Sequence, residues 1–160
     1  MLHLIIRLVP APVHRAVLPV AFRWRHRWRR WRRTPLYGCN VVITDLDGSV
    51  LLLRHSYGPD QWGLPGGGLG RGEDPERAAQ RELREELGLD GMRLHSLGTV
   101  EGILSGSPHT AYLFSAVIDC HPRLDRREVI EARFFPPHSL PEPLGATTRE
   151  QLAAWRERRG

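Results

Sequence analysis

Residues 66–89 constrain this chain more than any other stretch. Five of the seven residues from Gly66 to Gly72 are glycine, and Asp74-Pro75 follows almost at once. Asp74 is a helix N-cap and Pro75 suits the first turn, where a missing N–H costs nothing. Helical spacing then runs to Leu87, and Gly88 supplies the stop. On that helix Ala79, Leu83 and Leu87 offer one face to a core. Glu82, Glu85 and Glu86, at i, i+3 and i+4, gather three carboxylates on one face within a turn. Crowded carboxylates repel unless something cationic joins them. The plainer reading is a solvated helix in which Arg81 and Arg84 pair with the acids. The glycine-rich loop favours the other reading, because bare backbone can approach an ion or a phosphate closely. Oxygen-only donors in a partly open site suit a hard divalent ion, Mg²⁺ or Mn²⁺.

The surrounding sequence alternates short strands and helices. Cys39–Asp45, a turn at Leu46–Ser49 and Val50–Arg54 read as a β-hairpin, followed by a Gly/Pro-rich loop from Gly58 to Gly72. Met92–Val100, His109–Asp119 and Val129–Phe135 read as further strands, the last ended by Pro136-Pro137. Thr147-Thr148-Arg149-Glu150 has the form of a capping box opening a final helix with Leu152 and Trp155. Strands and helices mixed without regular βαβ alternation indicate an α/β sandwich around a mixed sheet.

Charge divides the chain unevenly. All 23 basic residues are Arg, and nine of them fall in residues 1–33 with no Asp or Glu. The remaining fourteen share residues 34–160 with all eighteen acids, so that portion is net −4. The expected organisation is an amphipathic cationic arm over residues 1–35 and a mildly acidic domain over 36–160. Val17, Val20, Trp24, Trp28 and Trp31 recur at steps of three and four, which places them on one stripe of a helix from about Pro19 to Arg33. Three roles remain open for this arm: an interfacial helix on an anionic membrane, a nucleic-acid contact, less favoured, or packing on the domain or a second subunit. Residues 17–33 are thus the expected route to peripheral membrane or subunit contact, including a homodimer. No run reaches the roughly 18 apolar residues needed to span a bilayer, and Arg7, His14 and Arg15 interrupt the N-terminal apolar stretch. A cytoplasmic protein, peripherally attached at most, is expected. Cys39 and Cys120 read as two buried free thiols, and their isolation excludes thiolate zinc.

The run from Gly67 to Leu89 resembles the Nudix hydrolase signature. Gly67, Glu73, Arg81, Glu82, Leu83, Glu85, Glu86, Gly88 and Leu89 satisfy every defined position, and Trp62-Gly63-Leu64-Pro65-Gly66-Gly67 matches the usual entry to it. The resemblance covers about residues 38–158. It implies a Nudix-like α/β/α sandwich around a mixed β-sheet, here with an N-terminal helical Arg/Trp-rich extension. It implies Glu82, Glu85 and Glu86 as metal ligands or metal-adjacent acids, with the carbonyl of Gly66 as a further ligand. Glu73, Arg81 and Gly88 would be structural within the motif. A downstream acid would complete the site as ligand or base; Glu128 matches best and Glu131 competes. Gly70 departs from relatives that carry Glu there, which alters loop charge at a variable position.

The chemistry implied is metal-dependent hydrolysis of a pyrophosphate bond in a nucleoside diphosphate linked to another moiety, giving a monophosphate and phosphate-X. Glu82, Glu86 and Glu128 are the catalytic candidates, and either Glu82 or Glu128 could take the proton of the attacking water. Arg54, Gly67 and Gly68 are candidates for binding the small-molecule nucleotide substrate; Arg54, His55 and Tyr57 precede the glycine loop and could reach substrate phosphate or base, a surface role being the alternative. His109, His121 and His138 are dispersed bystanders. Two other classes stay open: a catalytically silent nucleotide-binding module, and a membrane or RNA adaptor dominated by the arm.

Overall fold

The computed structural model describes residues 35–104, 106–124 and 128–159. The Arg/Trp arm, including the helix expected over residues 19–33, lies outside the described residues, as does Ser105. The elements are β1 (Leu36–Thr44), β2 (Val50–His55), β3 (Gly66–Gly68), α1 (Pro75–Leu87), β4 (His95–Leu104), β5 (Ser107–Val117), β6 (Val129–Phe135) and α2 (Ala146–Arg159). The sheet is mixed and six-stranded, in the order β4-β5-β1-β2-β6, with β3 paired to β1.

Alternation along the central strands builds the two layers. Cys39, Val41 and Ile43 of β1, with Leu51 and Leu53 of β2, bury against Ala79, Leu83 and Leu87 of α1. The intervening Val42, Val50 and Leu52 point the other way, onto Leu152 and Trp155 of α2 and onto Trp62. Period two on the strands thus places one helix on each face, which is the expected sandwich. Leu83 and Leu87 are fully buried, each worth about 1.5–3 kcal/mol of apolar burial. Among the described residues, no helix is long and apolar enough to cross a membrane.

Several local expectations change. β1 and β2 are joined by the expected turn, but they meet only at Thr44 opposite Val50. Upstream of that pair, β1 runs parallel to β5 from Leu36–His109 to Thr44–Val117. Its other edge is taken by β3, at Gly38–Gly68, Cys39–Gly67 and Asn40–Gly66. Three glycines inside the expected loop therefore form a strand. Only glycine fits: Gly66 has φ 141°, and a Cβ there would lie 2.1 Å from the Cys39 carbonyl oxygen.

β4 begins at His95 and not at Met92, because Met92 and Leu94 pack on the α1 core and the Met92 carbonyl accepts a hydrogen bond from Gln80. β4 and β5 extend to a tight connection with Leu104 opposite Ser107. α2 starts at Ala146, ahead of the expected capping box. The Gly145 carbonyl accepts from the Arg149 N–H at 2.9 Å, while the Gly145 N–H is tied to Trp62 at 3.0 Å. A tertiary contact, not Thr147, fixes that helix end. Both cysteines are free as expected, but only Cys39 is buried; Cys120, beyond the end of β5, is exposed.

Candidate active site

The acid-bearing helix is fixed at both ends by local chemistry. The Asp74 side chain accepts from the Arg77 N–H at 3.0 Å. Gly88 adopts φ 64° and returns its N–H to the Arg84 carbonyl at 3.2 Å. With the helix axis set and its apolar stripe buried, Glu82 and Glu86 turn toward β3. Glu86 is buried, and its carboxylate accepts the Gly66 N–H at 3.0 Å. Glu82 lies against Gly67 so closely that a Cβ there would come within 2.4 Å of its Oε1. Bare glycine backbone is therefore what allows β3 to lie on the acids.

Arg81 ties this face together. Its guanidinium donates to Glu73 through Nε at 2.9 Å and Nη2 at 3.1 Å, and to Glu82 through Nη1 at 2.6 Å. It also lies 3.5 Å from Glu85 and donates to the Gly68 carbonyl at 3.3 Å. Glu73 in turn accepts the Gly70 N–H at 2.7 Å, which closes the loop over the start of the helix. Glu73 and Arg81 thus join loop to helix. Glu85 is the most open of the three helix acids, its side chain 40% exposed.

One guanidinium shared among three carboxylates leaves Glu82 under-compensated. Its carboxyl is pushed above the ordinary carboxylate range, mainly by burial. Arg81 opposes the shift, while the negative charges of Glu85 and Glu128 add to it. Between the ordinary carboxyl range and this raised value, the fold binds a proton that the unfolded chain does not. Stability is therefore lost as pH rises through the raised value. Glu82→Gln is expected to melt higher than the parent at pH 7 without metal. That advantage should vanish below about pH 4, where Glu82 of the parent carries its proton in the folded and the unfolded state alike. Differential scanning calorimetry in a chelator checks this, and a variant melting lower than the parent at pH 7 contradicts it.

A fourth acid approaches from the opposite side. β2 and β6 pair with Arg54 opposite Glu131, and then the register jumps so that His55 faces Val129. This bulge brings Glu128 beside the end of β2, where its carbonyl accepts the Ser56 N–H at 2.8 Å. Its carboxylate accepts from the Tyr57 hydroxyl at 3.3 Å. Glu131 instead lies in a cross-strand charge cluster, 3.2 Å from Arg54 and 2.6 Å from Arg133. Arg54 also pairs with Asp60 and lies over the Trp62 ring at 5.8 Å. Of the candidates, Gly66, Gly67, Glu82 and Glu86 meet where β3 lies on α1, with Glu85 at the rim, Glu128 stands beside the end of β2, and Arg54 and Glu131 share an ion-pair cluster. His55 joins the acids, its Nε2 3.8 Å from Glu86. Gly68 sits at the junction with a cleft of about 560 Å³ lined by Tyr37, Leu69, Arg71 and Tyr112 among others; none of the three helix acids lines it.

The donor set fits a hard divalent cation. Among the described residues, no three His, Cys, Asp or Glu side chains converge as a ready-made cage. Mg²⁺ does not need one, because it binds through one or two carboxylates and keeps several waters for exchange with phosphate oxygens. A half-buried carboxylate whose burial outweighs its arginine is the electrostatic setting in which such a cation is favoured.

Comparison with known proteins agrees with this geometry. The family model described as the NUDIX domain matches residues 34–155. The chain is 41% identical to an RNA pyrophosphohydrolase of Saccharophagus degradans over 64 residues, 40% of this chain and 38% of that protein. It is 35% identical to mouse diphosphoinositol polyphosphate phosphohydrolase 3-alpha over 79 residues, 48% of this chain and 46% of that protein. The match thus spans less than half the length of these curated relatives. Among solved structures, the MutT NUDIX hydrolase from Burkholderia pseudomallei superposes with a TM-score of 0.68 at 33% identity, covering 76% of this chain and 98% of that one. Signature, site geometry and fold agree: the chain belongs to the Nudix family.

Proposed function

We propose that the domain hydrolyses a phosphoanhydride bond in a nucleoside diphosphate linked to a second moiety, releasing a monophosphate and phosphate-X. The observation that carries this reading is the packing of Glu82 and Glu86 onto the bare backbone of Gly66 and Gly67, with Glu85 open at the rim. The names of the pyrophosphohydrolase and phosphohydrolase relatives support the same bond type.

In this reading Glu82, Glu85, Glu86 and the Gly66 carbonyl hold Mg²⁺ or Mn²⁺. The bound ion supplies neutralisation of the pyrophosphate oxygens and acidification of water. The chain's own residues do the rest. Gly67 and Gly68 let the phosphates approach without side-chain obstruction. Arg81 holds Glu82 in place and ties it to the loop. Glu128 accepts the proton of the attacking water, because it reaches the site from the residue ahead of β6 while the other acids share one helix. Glu82 is less suited to that step, since its Oε1 already receives Arg81 at 2.6 Å.

The test is product analysis with Mg²⁺ on ADP-ribose, nucleotide sugars, nucleoside triphosphates and capped RNA. At least one is expected to yield a monophosphate product. Binding of panel members with turnover of none would contradict hydrolysis and leave a nucleotide-binding module.

A further inference from the structure

We propose that Tyr57 is a positioning residue that holds Glu128 in register with the acids of α1. The inference rests on the reading of Glu128 as proton acceptor. The end of β2 reaches both sides of the site within three residues. His55 Nε2 lies 3.8 Å from Glu86, the Ser56 N–H donates to the Glu128 carbonyl at 2.8 Å, and the Tyr57 hydroxyl donates to the Glu128 carboxylate at 3.3 Å. The rings of His55 and Tyr57 pack at 5.5 Å between centroids, so the two contacts form one unit.

The backbone bond fixes where Glu128 starts and leaves the torsions of its side chain open. A glutamate has three of them, and their freedom would spread the carboxylate over several positions. The phenol contributes to selecting one. At 3.3 Å its contact is longer than the usual hydroxyl–carboxylate hydrogen bond, as catalytic contacts often are before substrate binds. A proton acceptor displaced by about 1 Å loses on the order of a hundredfold in rate. Substitution of a partner that only orients such a group costs about 10- to 100-fold.

The test is steady-state kinetics with Mg²⁺ on Tyr57→Phe, Glu128→Gln and the double variant, with melting temperature and Mn²⁺ affinity measured on each. Phenylalanine keeps the ring against His55 and removes only the hydroxyl. Tyr57→Phe is expected to lower kcat about tenfold. Its KM should stay within twofold, and its melting temperature and Mn²⁺ affinity should not change. Glu128→Gln is expected to be slower still, and adding Tyr57→Phe to it should cost nothing more, because the group being positioned is already gone. Parental kcat in Tyr57→Phe beside a slow Glu128→Gln overturns the positioning role and leaves the reading of Glu128 standing. Multiplicative losses in the double variant, or weakened Mn²⁺ binding in Tyr57→Phe, overturn it as well, because the phenol then acts elsewhere. Parental kcat in Glu128→Gln overturns the underlying reading and this inference with it.

Discussion

Glu86→Gln is expected to lower kcat for phosphoanhydride hydrolysis about a thousandfold while the protein stays folded. Glu86 is 4% exposed and its carboxylate accepts the Gly66 N–H at 3.0 Å. Glutamine has the same shape, and its carbonyl oxygen can accept that same N–H. Packing and the β3 contact therefore survive. What disappears is one negative charge at the proposed cation site. A metal contributes several kcal/mol to stabilising charge in such a transition state, and about 4 kcal/mol corresponds to a thousandfold in rate. Glu85→Gln, at a carboxylate 40% exposed and paired with Arg81 at 3.5 Å, should cost less. Circular dichroism and melting temperature establish that each variant is folded, and kinetics at saturating Mg²⁺ then read the loss. A folded Glu86→Gln protein with parental kcat would remove Glu86 from the site.

The parts of this site legible in the sequence are those written in local chemistry. Asp74, Pro75 and Gly88 mark the ends of α1 because capping involves only neighbouring residues, and the observed helix runs between them from Pro75 to Leu87. The i, i+3, i+4 spacing of Glu82, Glu85 and Glu86 fixes a shared face once the helix exists. The strand segments of β1 and β2 were legible as well, although their continuous apolar runs did not say which residues bury on which side of the sheet.

What stayed hidden depends on pairing between distant segments. Three consecutive glycines carry no strand signal, since glycine is disfavoured in strands; β3 pairs with β1, and at Gly66 only bare backbone can come that close. The end of α2 followed a contact between Gly145 and Trp62 and not the threonines beside it. Glu128 and Glu131 looked alike in sequence. Their surroundings differ because of a one-residue shift in the β2–β6 register, which no periodicity reveals. Tyr57 reads in the sequence as a residue able to reach substrate phosphate or base, or else as a surface residue; its contact with Glu128 spans 71 residues of sequence.

Metal removal carries the other large effect, for a reason already visible in the apo electrostatics. Glu82 is buried far enough that burial outweighs the help of Arg81, and Glu85 and Glu128 make its ionisation harder still. Adding a doubly charged substrate group to this acidic face without a cation would worsen the repulsion. In the proposed reading, the acids that would obstruct phosphate binding without the ion are the ones that would recruit it. Activity should therefore follow metal occupancy closely, and Glu86→Gln should need more Mg²⁺ to reach its own reduced maximum.

The most direct measurement is turnover of the substrate identified by the panel, followed by ³¹P NMR on protein stripped with chelator and then titrated with Mg²⁺ or Mn²⁺. The expected rate in excess chelator is below about one thousandth of the metal-saturated rate. Product resonances should return along a saturable curve as either ion is added. Undiminished turnover in excess chelator would contradict the assignment of Glu82, Glu85 and Glu86 as the seat of a catalytic metal.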